Sequence, residues 1–259
     1  MKNLHKHYYK DYFERVDFLN LNSESNQNYI KDANKILTQK VSKTDLYVTD
    51  LGEAINTEIK LMAQYPGLVT GVGIQHEVSI KGEFKLGMHF DYTSGLPIIY
   101  GSTVKGVLKS YFMDEYNNEN VDINALIEDI FKGKDYNDKA TSAEKRASKS
   151  VYDRDIFFDA IIIEPNKDGK ILESDALAPH GGNSHDNPFA EPTPLPFIKI
   201  APEVTLLFRF KLNDTKEGDK VVMSVADKKE LFEKILTKYG IGAKTNVGYG
   251  QLKSLESLK

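Results

Sequence analysis

Hydrophobic and polar positions divide this chain into a polar, helical start and a run of alternating elements after residue 66. In "TDLGEAINTEIKLMAQYP" the apolar residues Leu51, Ala54, Ile55, Ile59, Leu61 and Met62 fall near one helical face, and Pro66 stops the segment. Residues 1–66 are therefore expected to be helical. "GLVTGVGIQ" follows as a short β-like run holding Gly71 and Gly73. "GEFKLGMHFDY" alternates Phe84, Leu86, Met88 and Phe90, a strand or hairpin pattern. Pro97 keeps the chain extended before Ile98. Ser102 or Thr103 can then cap a helix whose apolar face is Val104, Val107, Leu108, Tyr111 and Phe112.

Residues 114–150 read as a polar insertion. Within it "DINALIEDIFKG" is a short helix with Asp122 as N-cap, and "KDYNDKATSAEKRASKS" has too few apolar residues to pack and is expected to be mobile. "RDIFFDAIIIEP" is a buried strand. "DGKILESDALAPHGGNSHDNPFAEPTPLP" starts as a strand and becomes a long Pro/Gly/Asn loop. "FIKIAPEVTLLFRFKL" places Val204, Leu206, Phe208, Phe210 and Leu212 on one face. Arg209 and Lys211 fall on the other, which is expected to be open to water or a partner. "VADKKELFEKILTKY" is a helix with Leu231, Ile235 and Leu236 at helical spacing, and "VGYGQLKSL" ends the chain as a short strand.

The order from residue 67 is strand, helix, strand, strand, helix, strand. This is an α+β pattern, a ferredoxin-like βαββαβ core with a helical N-terminal region and insertions, within a single domain spanning 1–259. RRM domains share that topology and bind RNA on their sheet, but their aromatic motifs are absent here.

Composition narrows the chemistry. The 259 residues are 40% apolar and 28% charged, enough for a large core in an ordinary globular protein. There is no cysteine, so disulfides, thiolate zinc sites and cysteine nucleophiles are excluded, and a cytoplasmic location fits. No apolar run reaches the length of about 18 residues that a membrane span requires, and "MKNLHKHYYKDYFERVDF" has no signal-peptide core. The net charge of −4 counts mildly against a free-standing nucleic-acid binder, but leaves room for local basic patches or for a part of a larger assembly.

Two motifs remain. "YGIGAKTNVGYGQL" packs Gly240, Gly242, Gly248 and Gly250 into one loop. It is not a nucleotide-binding P-loop: Ala243 separates glycine from lysine, and the loop runs from helix to strand. Gly240 alone would suffice for a helix C-cap. "YGSTVKG" sets Gly101, Ser102 and Thr103 at a helix N-terminus, where unpaired N–H groups suit a phosphate. Lys105 and Lys109 add charge, and no acid lies between Ser94 and Met113. Lys244 and Lys253 flank the glycine loop, and no acid falls between Lys234 and Glu256. If the outer strands lie close, two donor-rich segments converge on one surface that holds a nucleic-acid backbone without reading bases. Ser102 and Thr103 can serve as helix cap, RNA contact or both. Tyr100 and Tyr249 can stack on bases or pack in the core.

In combination, "GLPIIYGSTVKGVLKSYF" and "YGIGAKTNVGYGQL" resemble the RAMP proteins (repeat-associated mysterious proteins) of CRISPR systems. The first looks like their Gly-Ser-Ser/Thr-x-Lys-Gly signature and the second like their C-terminal glycine-rich loop. The wording Gly-x-Gly-Ala-Lys-Thr-x-x-Gly-Tyr-Gly, with the stretch from Glu173 to Ile200, is similar to the sixth-subunit group of the type III-B Cmr effector. The resemblance covers roughly residues 65–252. It implies a subunit at the head of an RNA-targeting antiviral assembly. Its partners would be the 3′ part of a CRISPR guide RNA, neighbouring RAMP subunits and the small subunit, with target RNA nearby. The residues expected to meet RNA are Gly101, Ser102, Thr103, Lys105 and Lys109, with Gly242, Lys244, Thr245, Asn246, Gly248 and Tyr249.

Neither a catalytic residue, a metal nor a cofactor is expected. RNA cleavage without a metal asks for a general base and a general acid, with histidine ideal. His180 and His185 lie in one loop with Asp175 and Asp186, at a spacing that fits no zinc motif, and read as structural or partner-facing. His76 and His89 read as surface residues beside RNA at most. Nuclease relatives that process precursor RNA usually carry a histidine near the first helix, and "GSTVKGVLKSYF" has none. Those that cut target RNA use a loop aspartate, and Asp91 occupies a comparable region, so a nuclease using His180, His185 or Asp91 remains the rival reading, beside a purely protein-contacting subunit.

Overall fold

The computed structural model describes residues 3–46, 50–72, 78–86, 88–138, 146–177 and 194–255. Two helices open the chain, α1 (Leu4–Tyr9) and α2 (Glu24–Leu37), the second capped by Ser23, whose hydroxyl accepts from the Asn26 N–H. They bury Leu4, Tyr8, Ile30, Ala33 and Leu37 against Phe84, Met88 and Phe90. His7 is part of this packing, its Nε2 lying 3.0 Å from the Ala33 carbonyl.

Thr57–Ala63 is a strand, β1, where a helix was expected. Thr57, Ile59, Leu61 and Ala63 are buried while Glu58 and Lys60 are exposed, which is the two-residue period of a strand. After it come β2 (Ile98–Ile99), α3 (Gly101–Ser110), α4 (Phe112–Glu115) and α5 (Ile123–Lys132). Asp122 caps α5 as expected, accepting from the Ala125 N–H at 3.0 Å. The segment expected to be mobile lies partly outside the described residues; its flanks pair at Lys134 and Ser148. The single strand expected at 154–165 is two, β3 (Ile156–Phe157) and β4 (Ala160–Glu164), broken at Phe158 and Asp159. Then follow β5 (Leu172–Leu177), β6 (Leu195–Ile200), β7 (Thr205–Lys211), the hairpin β8 (Thr215–Glu217) and β9 (Lys220–Met223), α6 (Val225–Tyr239) and β10 (Leu252–Ser254). Among its described residues the expected strand at Phe84–Phe90 forms no ladder. Phe84, Met88 and Phe90 are buried, but its described backbone pairing is irregular, with one bridge between Phe90 and Pro97.

The central sheet runs β10-β1-β7-β4-β2, all neighbours antiparallel, with β3 also on β7. Ile59 sits opposite Phe208 and Leu61 opposite Leu206, so the inner face is continuous. α3 and α6 cover this face. Leu231, Phe232, Ile235 and Leu236 of α6 are buried, each side chain worth about 1.5–3 kcal/mol. A capping box at Ser224 and Asp227 starts α6 and Gly240 ends it. β5 and β6 form a separate ribbon.

The outer sheet face is not open at Arg209. That side chain is buried, burial pushes its pKa down, and the nearby Asp159 charge opposes the shift. A cleft of 770 Å³ lined by Arg209 mixes Glu58 and Lys60 with Lys229 and Glu233.

One acidic clamp fixes the helix layer. Glu115 of α4 accepts from Lys238 and Tyr239 at 2.6 Å each and pairs with Lys234 at 3.0 Å. The Lys238 and Tyr239 hydrogen bonds, followed by Lys234, hold its pKa down to about 2. Because the folded value lies below the ordinary one, this stabilisation is complete above about pH 4.5 and is lost as pH falls towards about 2. Glu115→Gln should lower the urea midpoint at pH 7, and the gap from wild type should close on acidification to pH near 2. A gap independent of pH would contradict the clamp.

Candidate nucleic-acid interface

The N-terminus of α3 is built by a distant residue. Tyr100 is the N-cap and makes no side-chain cap bond. Ser102 and Thr103, expected as caps, lie within the first turn instead. The Gly101 N–H goes to Asp159 Oδ1 at 2.7 Å, and the Thr103 and Val104 N–H groups go to the Tyr100 carbonyl. An acid therefore stands at the helix end that looked acid-free in sequence. It leaves Ser102 exposed and Thr103 half-buried, released from capping. Gly101 is required by close approach: a Cβ there would lie 2.2 Å from the Phe157 carbonyl oxygen. Gly101→Ala should cost about 1–3 kcal/mol by overpacking, read from urea unfolding. Unchanged stability would mean that β3 yields freely.

Beside this helix end is a cleft of 260 Å³ lined by Gly101, Ser102, Lys105, Arg154, Asp155 and Phe157. Lys105 stands 5.8 Å over the Phe157 ring. Arg154 packs on Gly133 and donates from Nε to the Lys149 carbonyl at 2.9 Å. Asp155 does not cancel these cations, because it is paired with buried Lys228 at 2.6 Å. Lys109 is exposed further along α3. Arg154 carries no signal in the sequence because it lies beside a polar insertion without a motif.

The glycine-rich loop closes on itself and on residues 67–69. The Ile241 N–H donates to Gly250 O at 2.9 Å, Gly250 to Gly67 at 2.8 Å, and Ala243 to Val69 at 2.8 Å. Gly250 has φ +75°, and a Cβ there would meet the Ile241 carbonyl at 2.0 Å, so only glycine fits. Gly242, Asn246 and Val247 are exposed, and Lys244, Thr245 and Gly248 half-buried. Lys244 is left-handed at φ +61°, a conformation of the kind stored at binding loops.

Tyr249 does not stand out for stacking. Its ring is buried with Val69 and Phe197, under the Lys199 ammonium, and its hydroxyl donates to Asp175 Oδ2 at 2.9 Å. Burial, and then the Asp175 carboxylate, push the phenol up to about 12. Asp175, expected in a histidine loop, is on β5 and anchors Tyr249. His76, His180, His185 and Asp186 lie outside the described residues.

The two motifs are joined through a short relay. Ala243 pairs with Val69. The next residue, Thr70, lies 3.0 Å through Oγ1 from His89 Nδ1. The His89 ring stacks on Tyr100, centroids 4.2 Å apart, and Tyr100 caps α3. Tyr100 is partly exposed and covers His89, whose pKa burial pushes down. The sequence marks His89 only as a surface residue; its place between the motifs depends on contacts across the fold.

Asp91 is a turn residue. It accepts from the Thr93 hydroxyl at 2.8 Å and from the Thr93 and Ser94 N–H groups at 3.2 and 2.8 Å. Burial alone would raise its pKa, but the hydrogen bonds from Ser94 and Thr93 bring it down to about 2. Among the described residues no group of acids and histidines could hold a metal ion, and no helix is long and apolar enough to cross a membrane.

The family model of the RAMP superfamily matches residues 60–253, from β1 to β10. The chain is a RAMP superfamily protein. The CRISPR system CMR subunit Cmr6 of Saccharolobus solfataricus is 26% identical over 178 residues, 68% of this chain and 52% of that protein. The chain thus spans about half the length of that relative. Among solved structures, the type III-B Cmr-beta complex bound to cognate target RNA contains a chain similar in fold, with a TM-score of 0.54 and 22% identity. The match covers 89% of this RAMP chain and 65% of the other. Both matched motifs, α3 and the glycine-rich loop, fall inside the family's span.

Proposed function

We propose that this RAMP protein is a non-catalytic, guide-RNA-binding and assembly subunit of a type III-B Cmr effector, acting in antiviral defence. The relay from Ala243 through Val69, Thr70 and His89 to Tyr100 carries this reading, because it links the α3 N-terminus to the glycine-rich loop through successive contacts. Ser102, Lys105 and Arg154 at the α3 end and Lys244 in the glycine-rich loop supply hydroxyl and cationic groups suited to a phosphate backbone. The sheet and helices follow β1-α3-β4-β7-α6-β10, which we read as a ferredoxin-like unit beginning at residue 57. The guide RNA, neighbouring RAMP subunits and the small subunit are its partners, with target RNA close by. The similarity to Cmr6 supports that assignment.

Of the candidate groups for the nuclease reading, Asp91 is committed to a turn, which supports a non-catalytic role, while His180 and His185 lie outside the described residues. Tagged protein recovered from its native cell should carry other RAMP subunits and short RNAs sharing a repeat-derived 5′ end. Purified protein alone should leave precursor RNA intact. Cleavage abolished by His180→Ala or Asp91→Ala would overturn the non-catalytic reading.

A further inference from the structure

A second aromatic surface adjoins the α3 N-terminus and is not explained by packing. The ring of His5 lies 5.0 Å from Tyr9 and 5.4 Å, edge-on, from Tyr92. Tyr92 is 79% exposed and Tyr9 39%. With Asn3, Lys6 and Lys10 they line a cleft of 380 Å³. The core gains little from rings left this open, and clustered exposed apolar surface on a globular protein usually marks a binding site. Lys6 is held by Asp11 at 2.9 Å, and Lys10 is exposed on the rim.

The cleft is rigid and continuous with the relay. Leu4 and His5 N–H groups both donate to the Gly95 carbonyl, at 3.1 and 3.2 Å, fixing α1 to the Asp91 turn that carries Tyr92. The Tyr9 hydroxyl donates to the Met88 carbonyl at 2.9 Å, next to His89. The Tyr9 ring also meets Phe90 edge-on, centroids 6.3 Å apart, and the intervening His89 stacks on Tyr100. Exposed aromatic surface thus runs over Tyr9, His5 and Tyr92, and the Tyr9 hydroxyl bond to Met88 sets it next to His89 and its Tyr100 stack. A positively charged track beside a line of rings is how single-stranded RNA is held without sequence preference.

We propose that the cleft of Tyr9, His5 and Tyr92 stacks a nucleobase of the single-stranded RNA that crosses the α3 N-terminus. This rests on the RNA-binding reading above. Rings of several residues in one cleft favour a flat, unpaired base, and Lys10 supplies a charge for its phosphate. The Asp91 turn then serves to present Tyr92.

The test uses the full chain and a short, unstructured, fluorescently labelled RNA. Tyr92→Ala should weaken binding by roughly 5- to 100-fold, the range of one stacking interaction. Tyr92→Phe should restore most of it, and the salt dependence should not change, because every phosphate partner is still in place. Tyr92 is an exposed turn residue, so its variants are expected to fold; matched urea midpoints check this. If Tyr92→Ala binds as wild type while Lys105→Glu with Lys244→Glu does not, the inference is wrong and the RNA-binding surface stands. If wild type binds no RNA, both fail. Intact RNA binding with loss of a co-purifying subunit would make the cleft a protein-docking site and overturn the inference.

Discussion

Reversing two charges together, Lys105→Glu and Lys244→Glu, should weaken RNA binding by about 100-fold or more at moderate salt. Each lysine supplies one charge-assisted hydrogen bond worth about 1.5–3 kcal/mol, and reversal adds repulsion. The slope of log K against log salt should become shallower by about 0.7 for each phosphate of a single strand that the variant no longer neutralises. Titration at several salt concentrations, with matched urea midpoints, separates this from a folding defect, since both residues are half-buried rather than in the core, one on α3 and one at the left-handed residue of the glycine-rich loop. Each single reversal should give a smaller effect of the same kind. If only one single variant has any effect, the two motifs do not share an RNA. Arg154→Glu should behave like Lys105→Glu, since both line the same cleft.

Lys228→Ala should be the most damaging single change to stability, at about 3–5 kcal/mol. The Lys228 side chain is fully buried, and its ammonium meets Asp155 Oδ2 and the Asn213 carbonyl at 2.6 Å each. Burial pushes Asp155 up and Lys228 down, while each charge opposes the shift in the other. Removing the lysine leaves a buried carboxylate with only the Asn213 N–H, at 2.7 Å, among these partners. Asp155 precedes the β3 residues on which Gly101 closes, so the α3 N-terminus should loosen with it. Urea unfolding of Lys228→Ala and of Lys228→Met combined with Asp155→Leu distinguishes the causes. The double variant should recover most of the stability, because an apolar pair leaves no unpaired charge. A cost below about 1 kcal/mol in Lys228→Ala would mean that water reaches the pair.

The elements that can be read from sequence are those whose signals are local. α6 carries its own capping box, apolar stripe and terminal glycine, and α5 its Asp122 cap. β1 reads as helix because Ile55, Ile59 and Met62 fit a helical spacing, while Ile59, Leu61 and Ala63 fit a strand. Pairing with β7 and β10 decides between them, and that pairing is not written in residues 51–66. The cap of α3 comes from Asp159, 58 residues away, so the capping role expected of Ser102 and Thr103 is already filled. At the candidate site the donor-rich segments are visible in the sequence, but Arg154 and the His89 relay are not. Both depend on which chain segments pack side by side. Tyr249 shows the reverse case: its motif is plain in the sequence, yet its ring holds the loop to β5 and β6.

The central claim is that α3 and the glycine-rich loop form one RNA surface. Its most direct test is photo-crosslinking of the full chain, within its native complex, to RNA, with the linked peptides mapped by mass spectrometry. Crosslinks in both 101–109 and 242–248, on neighbouring nucleotides of one RNA, are predicted. Crosslinks confined to other surfaces, or none from either segment while other subunits of the complex are labelled, would contradict it.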